Sequence, residues 1–190
     1  SLCRHTDWPG IVDEFAKTIF EEIDYIREGR NADVFRSSYR NFDSIYIPRI
    51  IWKLTGRRVL TIEYVAGIPI NDAAGIAAMG LDAEEITKTG ANFYLRQLLE
   101  EGFFHADPHP GNIFVLENNV IAPVDFGMIG TLDEEIVHQL GIVLTAIVEN
   151  DADTLLNVLL NIGLAPEPIN RRVFRAELAD FLERYHELPL

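Results

Sequence analysis

The spacing of hydrophobic positions changes along the chain, and each change predicts an element. From Gly10 to Ser38 apolar residues recur at helical intervals, Ile11, Phe15, Ile19, Ile23 and Ile26, then Val34 and Phe35, so a helix is expected there with Asp7 as its N-cap and Pro9 in its first turn. Between Ser44 and Val65 β-branched and aromatic residues take over, Ile45-Tyr46-Ile47, Ile50-Ile51-Trp52 and Val59 to Val65, broken by Thr55-Gly56-Arg57; this pattern predicts a hairpin. Gly67 and Pro69 close it, and the small residues from Asn71 to Gly80 predict a loop with a short helix. Asp82 followed by Glu85 has capping-box spacing and opens a long helix expected to end near Glu101-Gly102. Two short strands are expected next, Ile113 to Leu116 and Val120 to Val124, with Asn118-Asn119 at their turn. Beyond Gly130 the pattern is helical to the end, with Thr131 or Asp133 opening one helix and Pro166-Glu167-Pro168 setting off the last. Helix, hairpin, then helices around a small hairpin is an α+β order.

Composition narrows the functional classes. The 190 residues are 48% hydrophobic, enough for one domain with a proper core. A net charge of −14 argues against a protein that grips a nucleic-acid backbone. Cys3 is the sole cysteine, so no internal disulfide is available and a reducing, cytoplasmic setting is expected. The apolar run Ile142 to Val148 is far shorter than the roughly 20 residues that span a bilayer. Ser1-Leu2-Cys3-Arg4-His5 has neither an initiating Met nor the design of a secretory signal, so an internal piece of a longer chain is expected.

The chemistry concentrates in two short motifs. His105-Ala106-Asp107 is followed five residues later by Asn112, between the end of a long helix and a short strand. That is the spacing of a kinase catalytic loop, where one carboxylate stands by the attacking group and a neutral amide oxygen holds a metal ion on the phosphates. Asp125-Phe126-Gly127 comes thirteen residues after Asn112, preceded by the strand Val120 to Val124. A hairpin between the motifs would bring Asn112 and Asp125 to one Mg2+ on ATP, with Asp107 and His105 as catalytic residues, His105 by orienting the loop. A hydrolase metal cluster built on His105, Asp107 and His109 is the rival, and it leaves Asn112 and Asp125 unexplained.

The run His105-Ala106-Asp107-Pro108-His109-Pro110-Gly111-Asn112, preceded by Phe103-Phe104, resembles the UbiB-like atypical kinases connected with ubiquinone biosynthesis. Upstream, Glu22-Ile23-Asp24-Tyr25 with Arg27-Glu28 and Arg30-Asn31-Ala32 looks like that family's Glu-x-Asp helix, and Val59 to Gly67 looks like its hinge strand. The resemblance covers about Trp8 to Gly130. It implies a protein-kinase-like fold: one partial domain over residues 1–190, with the end of an N-lobe and the hinge in 8–65 and a mostly helical C-lobe in 66–190. By the same resemblance Glu22 would pair with a nucleotide-binding lysine, Asp24 would tether an extra N-terminal segment, and Glu63 to Val65 would offer backbone groups to adenine. On the residues alone, Glu22 and Asp24 read rather as a solvated acidic helix face, and Glu63 to Val65 equally as an ordinary strand end. Glu28 receives no role. The family further implies work at a membrane surface, with an isoprenoid lipid and quinone-biosynthesis proteins as partners.

The departures from the family pattern lie upstream. Lys17, Lys53 and Lys88 are the only lysines, and none sits on a strand of the kind that carries a phosphate-contacting lysine. The family's Ala-rich nucleotide loop and Lys-x-Gly-Gln segment are missing as well. This piece is therefore expected to bind nucleotide weakly and transfer phosphate poorly. Two rivals remain: a noncatalytic nucleotide- or lipid-interaction module, and a small-molecule phosphotransferase similar to aminoglycoside or choline kinases.

Overall fold

A computed structural model describes residues 24–163 and 169–186. It divides into two compact units. The first runs up to Tyr94 and resumes from His105 to Gly130; the second is formed by Leu95–Phe104 and by the chain from Thr131 onward. The expected lobe boundary at 65–66 falls inside the first unit.

In the first unit, helix α1 spans Tyr25–Ser38, and Asp24 caps it by accepting a hydrogen bond from Ile26 N at 3.1 Å. The cap marks a helix start at Tyr25, so the long helical run read from Gly10 does not pass through this point unbroken; the part before Asp24, with Asp7 and Glu22, lies outside the described residues. One face of α1 carries Ala32, Phe35 and, just beyond, Tyr39, all buried. Phe35 is fully buried, with its ring centroid 5.2 Å from Phe126 and 6.4 Å from Phe93. The Tyr39 ring meets Phe93 edge-on at 4.7 Å, and its hydroxyl donates to the Phe93 carbonyl.

The expected hairpin between Ser44 and Val65 turns back on itself but is not two regular strands. It is held by isolated bridges, Ile50 to Ile62 and Gly56 to Val59 antiparallel, with a 3-10 turn at Trp52–Leu54 between them. Pro48 offers no N–H to a ladder, and the 3-10 turn takes Trp52–Leu54 out of extended pairing. A three-stranded antiparallel sheet follows in the order β1 (Ile68–Pro69), β3 (Ile113–Val115), β4 (Ile121–Pro123). β3 and β4 pair Ile113 with Pro123 and Val115 with Ile121. Asn118 and Asn119 both sit near φ 60°, the two left-handed positions of a tight hairpin turn that asparagine tolerates.

Between β1 and β3 come the short helix α2 (Ala73–Ala78) and the long helix α3 (Ala83–Arg96). Asp82 accepts from the N–H groups of Glu84 and Glu85, the forward half of the expected capping box. The return half is made by another residue: Asn119 takes the Asp82 N–H at 2.9 Å and donates its amide to Glu85, tying the hairpin turn to the helix start.

In the second unit the end of α3 passes into a π-turn at Gln97–Glu101 that stops at Gly102. Gly102 has φ +60°, and a Cβ there would lie 2.8 Å from the Leu132 carbonyl, so both conformation and space demand glycine. The strands β2 (Phe103–His105) and β5 (Ile129–Thr131) carry the chain between units. Asp133 then caps α4 (Glu134–Val148), Asp151 caps α5 (Ala152–Asn161), and α6 spans Arg171–His186. The helical run after Gly130 breaks at Asn150, in the left-handed region at φ 56°, just before the Asp151 cap. Ala146, Ala152, Leu155 and Leu182 form this unit's buried core. Pro166 to Pro168 lie outside the described residues.

Candidate active site

The β3–β4 hairpin brings the two motifs together. Val124 N donates to Asn112 O at 2.9 Å, and the Asn112 side-chain amide donates to Asp125 Oδ2 at 2.8 Å. Asp125 is held on every side: its Oδ1 accepts from Gly127 N at 2.9 Å, and its carbonyl accepts from His105 Nε2 at 2.6 Å. His105 Nδ1 in turn accepts from Asp107 N at 3.1 Å, so the buried imidazole, in the Nε2–H form, locks the Asp107 backbone to the Asp125 backbone. Both ring nitrogens are thereby occupied. This disposes of the metal-cluster reading of His105, and among the described residues no group of three or more His, Cys, Asp or Glu is placed to hold a metal. The His109 ring accepts from Gly111 N and shapes the Pro110–Asn112 turn.

One face of α1 reads the Phe126 peptide in full. Asn31 donates its amide to Phe126 O at 2.9 Å, Glu28 Oε1 faces Phe126 N at 3.5 Å, and the Phe35 ring packs at a tilt against the Phe126 ring. Burial, and then the charge of Asp125, push the Glu28 carboxyl above its ordinary range, while the Phe126 N–H acts in the opposite sense. Glu28 and Asn31 stand in the segment that resembles the family's Glu-x-Asp helix, but the sequence gives them no role at the site. The sequence places residues 28, 31 and 35 on one helical face, without showing what that face meets.

These groups line an open cleft of about 410 Å3, within the ordinary size of a small-molecule site. Its polar side is His105, Asp107, Asn112, Asp125 and Glu28; its apolar side is built by Leu60, Ile62, Val124 and Met128. A larger cavity of about 780 Å3 in the second unit lacks this donor set. Behind the catalytic loop the Tyr94 hydroxyl is buried with no hydrogen-bond partner among the described residues. Burial first, and the charge of Asp107 second, push its pKa up to about 12.

Of the other sequence candidates, Asp24 serves as the α1 cap, and Glu63 and Val65 do not line the cleft. Extended backbone alternates, so Leu60 and Ile62 face the cleft while Glu63 turns away. Its carboxylate takes both arms of Arg49, at 3.0 and 3.1 Å, and its N–H donates to Arg49 O. The Arg49 guanidinium, helped by the Tyr46 hydroxyl, holds the Glu63 pKa down to about 2. Glu22 lies outside the described residues.

An aspartate on a loop with kinase catalytic-loop spacing, an amide–carboxylate pair across a hairpin and an α1 face gripping the second motif make up a kinase-like arrangement. The donor set fits magnesium, which takes one or two protein oxygens and completes its shell with phosphates and water. Asp125, and the Asn112 amide oxygen left by its bond to Asp125, are such a pair.

Residues 2–159 match the ABC1 atypical kinase-like domain, and the chain belongs to that family. It is 38% identical over 187 residues, 98% of its length, to an uncharacterized protein of Synechocystis, of which it covers 32%. It is 38% identical over 156 residues to the protein ACTIVITY OF BC1 COMPLEX KINASE 7 of Arabidopsis thaliana, a chloroplastic protein; the match takes in 82% of this chain and 22% of that one. The chain thus spans a third or less of these relatives. Among solved structures it resembles Rv3197 of Mycobacterium tuberculosis, determined with erythromycin, at a TM-score of 0.68 and 24% identity over 97% of this chain and 47% of that one, a likeness of fold. No helix among the described residues is long and apolar enough to cross a membrane.

Proposed function

We propose that this chain supplies the magnesium-nucleotide side of an ATP-dependent atypical kinase or ATPase. The observation that carries the reading is the 2.8 Å bond between the Asn112 amide and Asp125 beside a loop whose Asp107 is fixed through His105. Asp125 and Asn112 would hold magnesium on the nucleotide phosphates, and the chemistry the ion supplies when bound is neutralisation of their charge. Leu60, Ile62, Val124 and Met128 would give the base an apolar wall. Asp107, exposed at the mouth of the cleft, would orient the attacking hydroxyl or water and accept its proton. His105 keeps the two aspartates in register without touching substrate. The family resemblance supports a role in quinone or isoprenoid-lipid metabolism at a membrane surface, with quinone-biosynthesis proteins as partners.

The test separates binding from turnover. Asp125→Asn should weaken magnesium-ATP binding by about 10- to 100-fold, by analogy with the loss of groups around a metal. Asp107→Asn should leave binding intact and lower turnover by about 100- to 10,000-fold. Equal loss of binding from both changes would contradict the assignment.

A further inference from the structure

Two consecutive peptide units follow the Cα of Asp125, and they are tied down differently. The Asp125–Phe126 unit is held at its carbonyl by His105 Nε2 at 2.6 Å, and its N–H faces Glu28 Oε1 at 3.5 Å. Among the described residues, the Phe126–Gly127 unit has one tie from outside the motif, the Asn31 amide that donates to its carbonyl at 2.9 Å. On the opposite edge of the same plane, its N–H donates to Asp125 Oδ1 at 2.9 Å.

Asn31 therefore acts on the Asp125 carboxylate through a single rigid plane. The carboxylate folds closely over that plane, because a Cβ at Gly127 would lie 3.3 Å from Asp125 Oδ1. Its other oxygen, Oδ2, accepts from the Asn112 amide at 2.8 Å, so both oxygens are oriented and each keeps a lone pair for an ion. A glycine at 127 makes the plane easy to turn, since no Cβ resists opposed rotations about its flanking bonds. Such a turn needs no movement of the Phe126 ring, which stays packed against Phe35 at 5.2 Å. Turned over, the unit would present its carbonyl to the carboxylate in place of its N–H, and a hydrogen bond would become a repulsion between oxygens. The bond from Asn31 opposes this turn, and a donor on the carbonyl also polarises the N–H at the other end of the unit toward Asp125.

We infer that Asn31 is a positioning residue for the metal site: by fixing the Phe126–Gly127 peptide it keeps the Asp125 carboxylate in the orientation that Asn112 completes. The inference rests on the reading of Asp125 and Asn112 as magnesium ligands. Asn31 itself does not line the cleft, and it reaches the motif from α1 across 95 residues of sequence. Leucine at position 31 would keep a side chain of similar reach and remove the donor.

The test is Mn2+ binding to the chain in the presence of ATP, followed by the electron paramagnetic resonance of the free ion at a temperature where each variant is folded. Asn31→Leu should weaken ion binding by about tenfold, the scale set by losing a group that orients a metal ligand, and leave binding of ATP without metal unchanged. In metal-free protein the same change should move the Gly127 amide proton upfield as its bond to Asp125 loosens. Asp125→Asn, measured alongside, separates the two levels of the reading. Weakened binding in Asp125→Asn with Asn31→Leu indistinguishable from wild type, even if Asn31→Leu melts lower, would overturn the role of Asn31 and leave the metal site standing. Unweakened binding in Asp125→Asn would remove the metal site, and the role of Asn31 with it. If Asn31→Leu does not fold, the wild-type chain decides. Coupling is reciprocal, so ATP with Mg2+ should slow hydrogen exchange of the Asn31 side-chain amide by the same factor of about ten, relative to ATP alone. Exchange that Mg2+ leaves unchanged would overturn the proposal.

Discussion

Phe35→Ala tests the link between the α1 core and the site most sharply. Phe35 is fully buried and its ring is surrounded by those of Tyr39, Phe93 and Phe126 at 6.3, 6.4 and 5.2 Å. Removing a ring from such a place loses its transfer energy and leaves a cavity that rigid aromatic neighbours cannot fill, a combined cost of about 3–5 kcal/mol. Up to about 1.5 kcal/mol more belongs to the Phe35–Phe126 pairing and would emerge as coupling in a double-mutant cycle with Phe126→Leu. Val34→Ala, one position away and 48% exposed, is the control, expected within about 0.5 kcal/mol of wild type. Urea titration followed by circular dichroism gives the totals, and native-state hydrogen exchange assigns the loss to the first unit or elsewhere. Because Phe126 lies between Asp125 and Gly127, magnesium-ATP affinity should fall further than the folded fraction alone accounts for. A cost below about 1 kcal/mol for Phe35→Ala, or equal costs at positions 34 and 35, would refute the view that this ring cluster carries the unit.

Two further outcomes follow from single groups. Glu28 has its carboxyl pKa raised by burial and by Asp125, so its ionised form works against the fold. That cost is absent below the unfolded-state pKa and complete above the folded one; Glu28→Gln should raise the melting temperature at neutral pH, and the gain should vanish toward pH of about 4, where free glutamate titrates. A gain independent of pH would contradict the electrostatic cause. Tyr94→Phe deletes a buried hydroxyl that has no partner among the described residues and should leave stability unchanged or raise it by up to about 1–3 kcal/mol in the same urea titration; a loss would show that the hydroxyl is satisfied in solution.

The parts of the site that were legible in the sequence are those whose meaning is local. Asp107, Asn112 and Asp125 lie within short segments joined by one hairpin, and the Asn118-Asn119 pair announces the turn that closes it. The α+β order and the kinase-like class follow from the same motifs and from the alternation of periods. The contribution of α1 was hidden because it acts at a distance: Glu28 and Asn31 reach Phe126 across 98 and 95 residues, and amphipathic spacing says which face is buried but not what it meets. The Ser44–Val65 segment has strand composition throughout, yet Pro48 and the Trp52–Leu54 turn reduce its pairing to single bridges. At Glu63 the side-chain ion pair with Arg49 is a contact that the resemblance to the family's hinge does not predict. The break between α4 and α5 did have a signal, Asn150 followed by the capping Asp151 and Thr154, which the continuous apolar pattern obscured.

The most direct test of the central claim, that Asn112, Asp125 and Asp107 form one metal-nucleotide site, is paramagnetic line broadening with substoichiometric Mn2+ and ATP in isotope-labelled protein. The side-chain amide of Asn112 and the backbone N–H groups of Asp125 and Gly127 should broaden first, followed by Asp107, and Asp125→Asn should abolish the pattern. Broadening centred on His138 and Glu149 around the larger cavity of the second unit, or a pattern unchanged in Asp125→Asn, would contradict it.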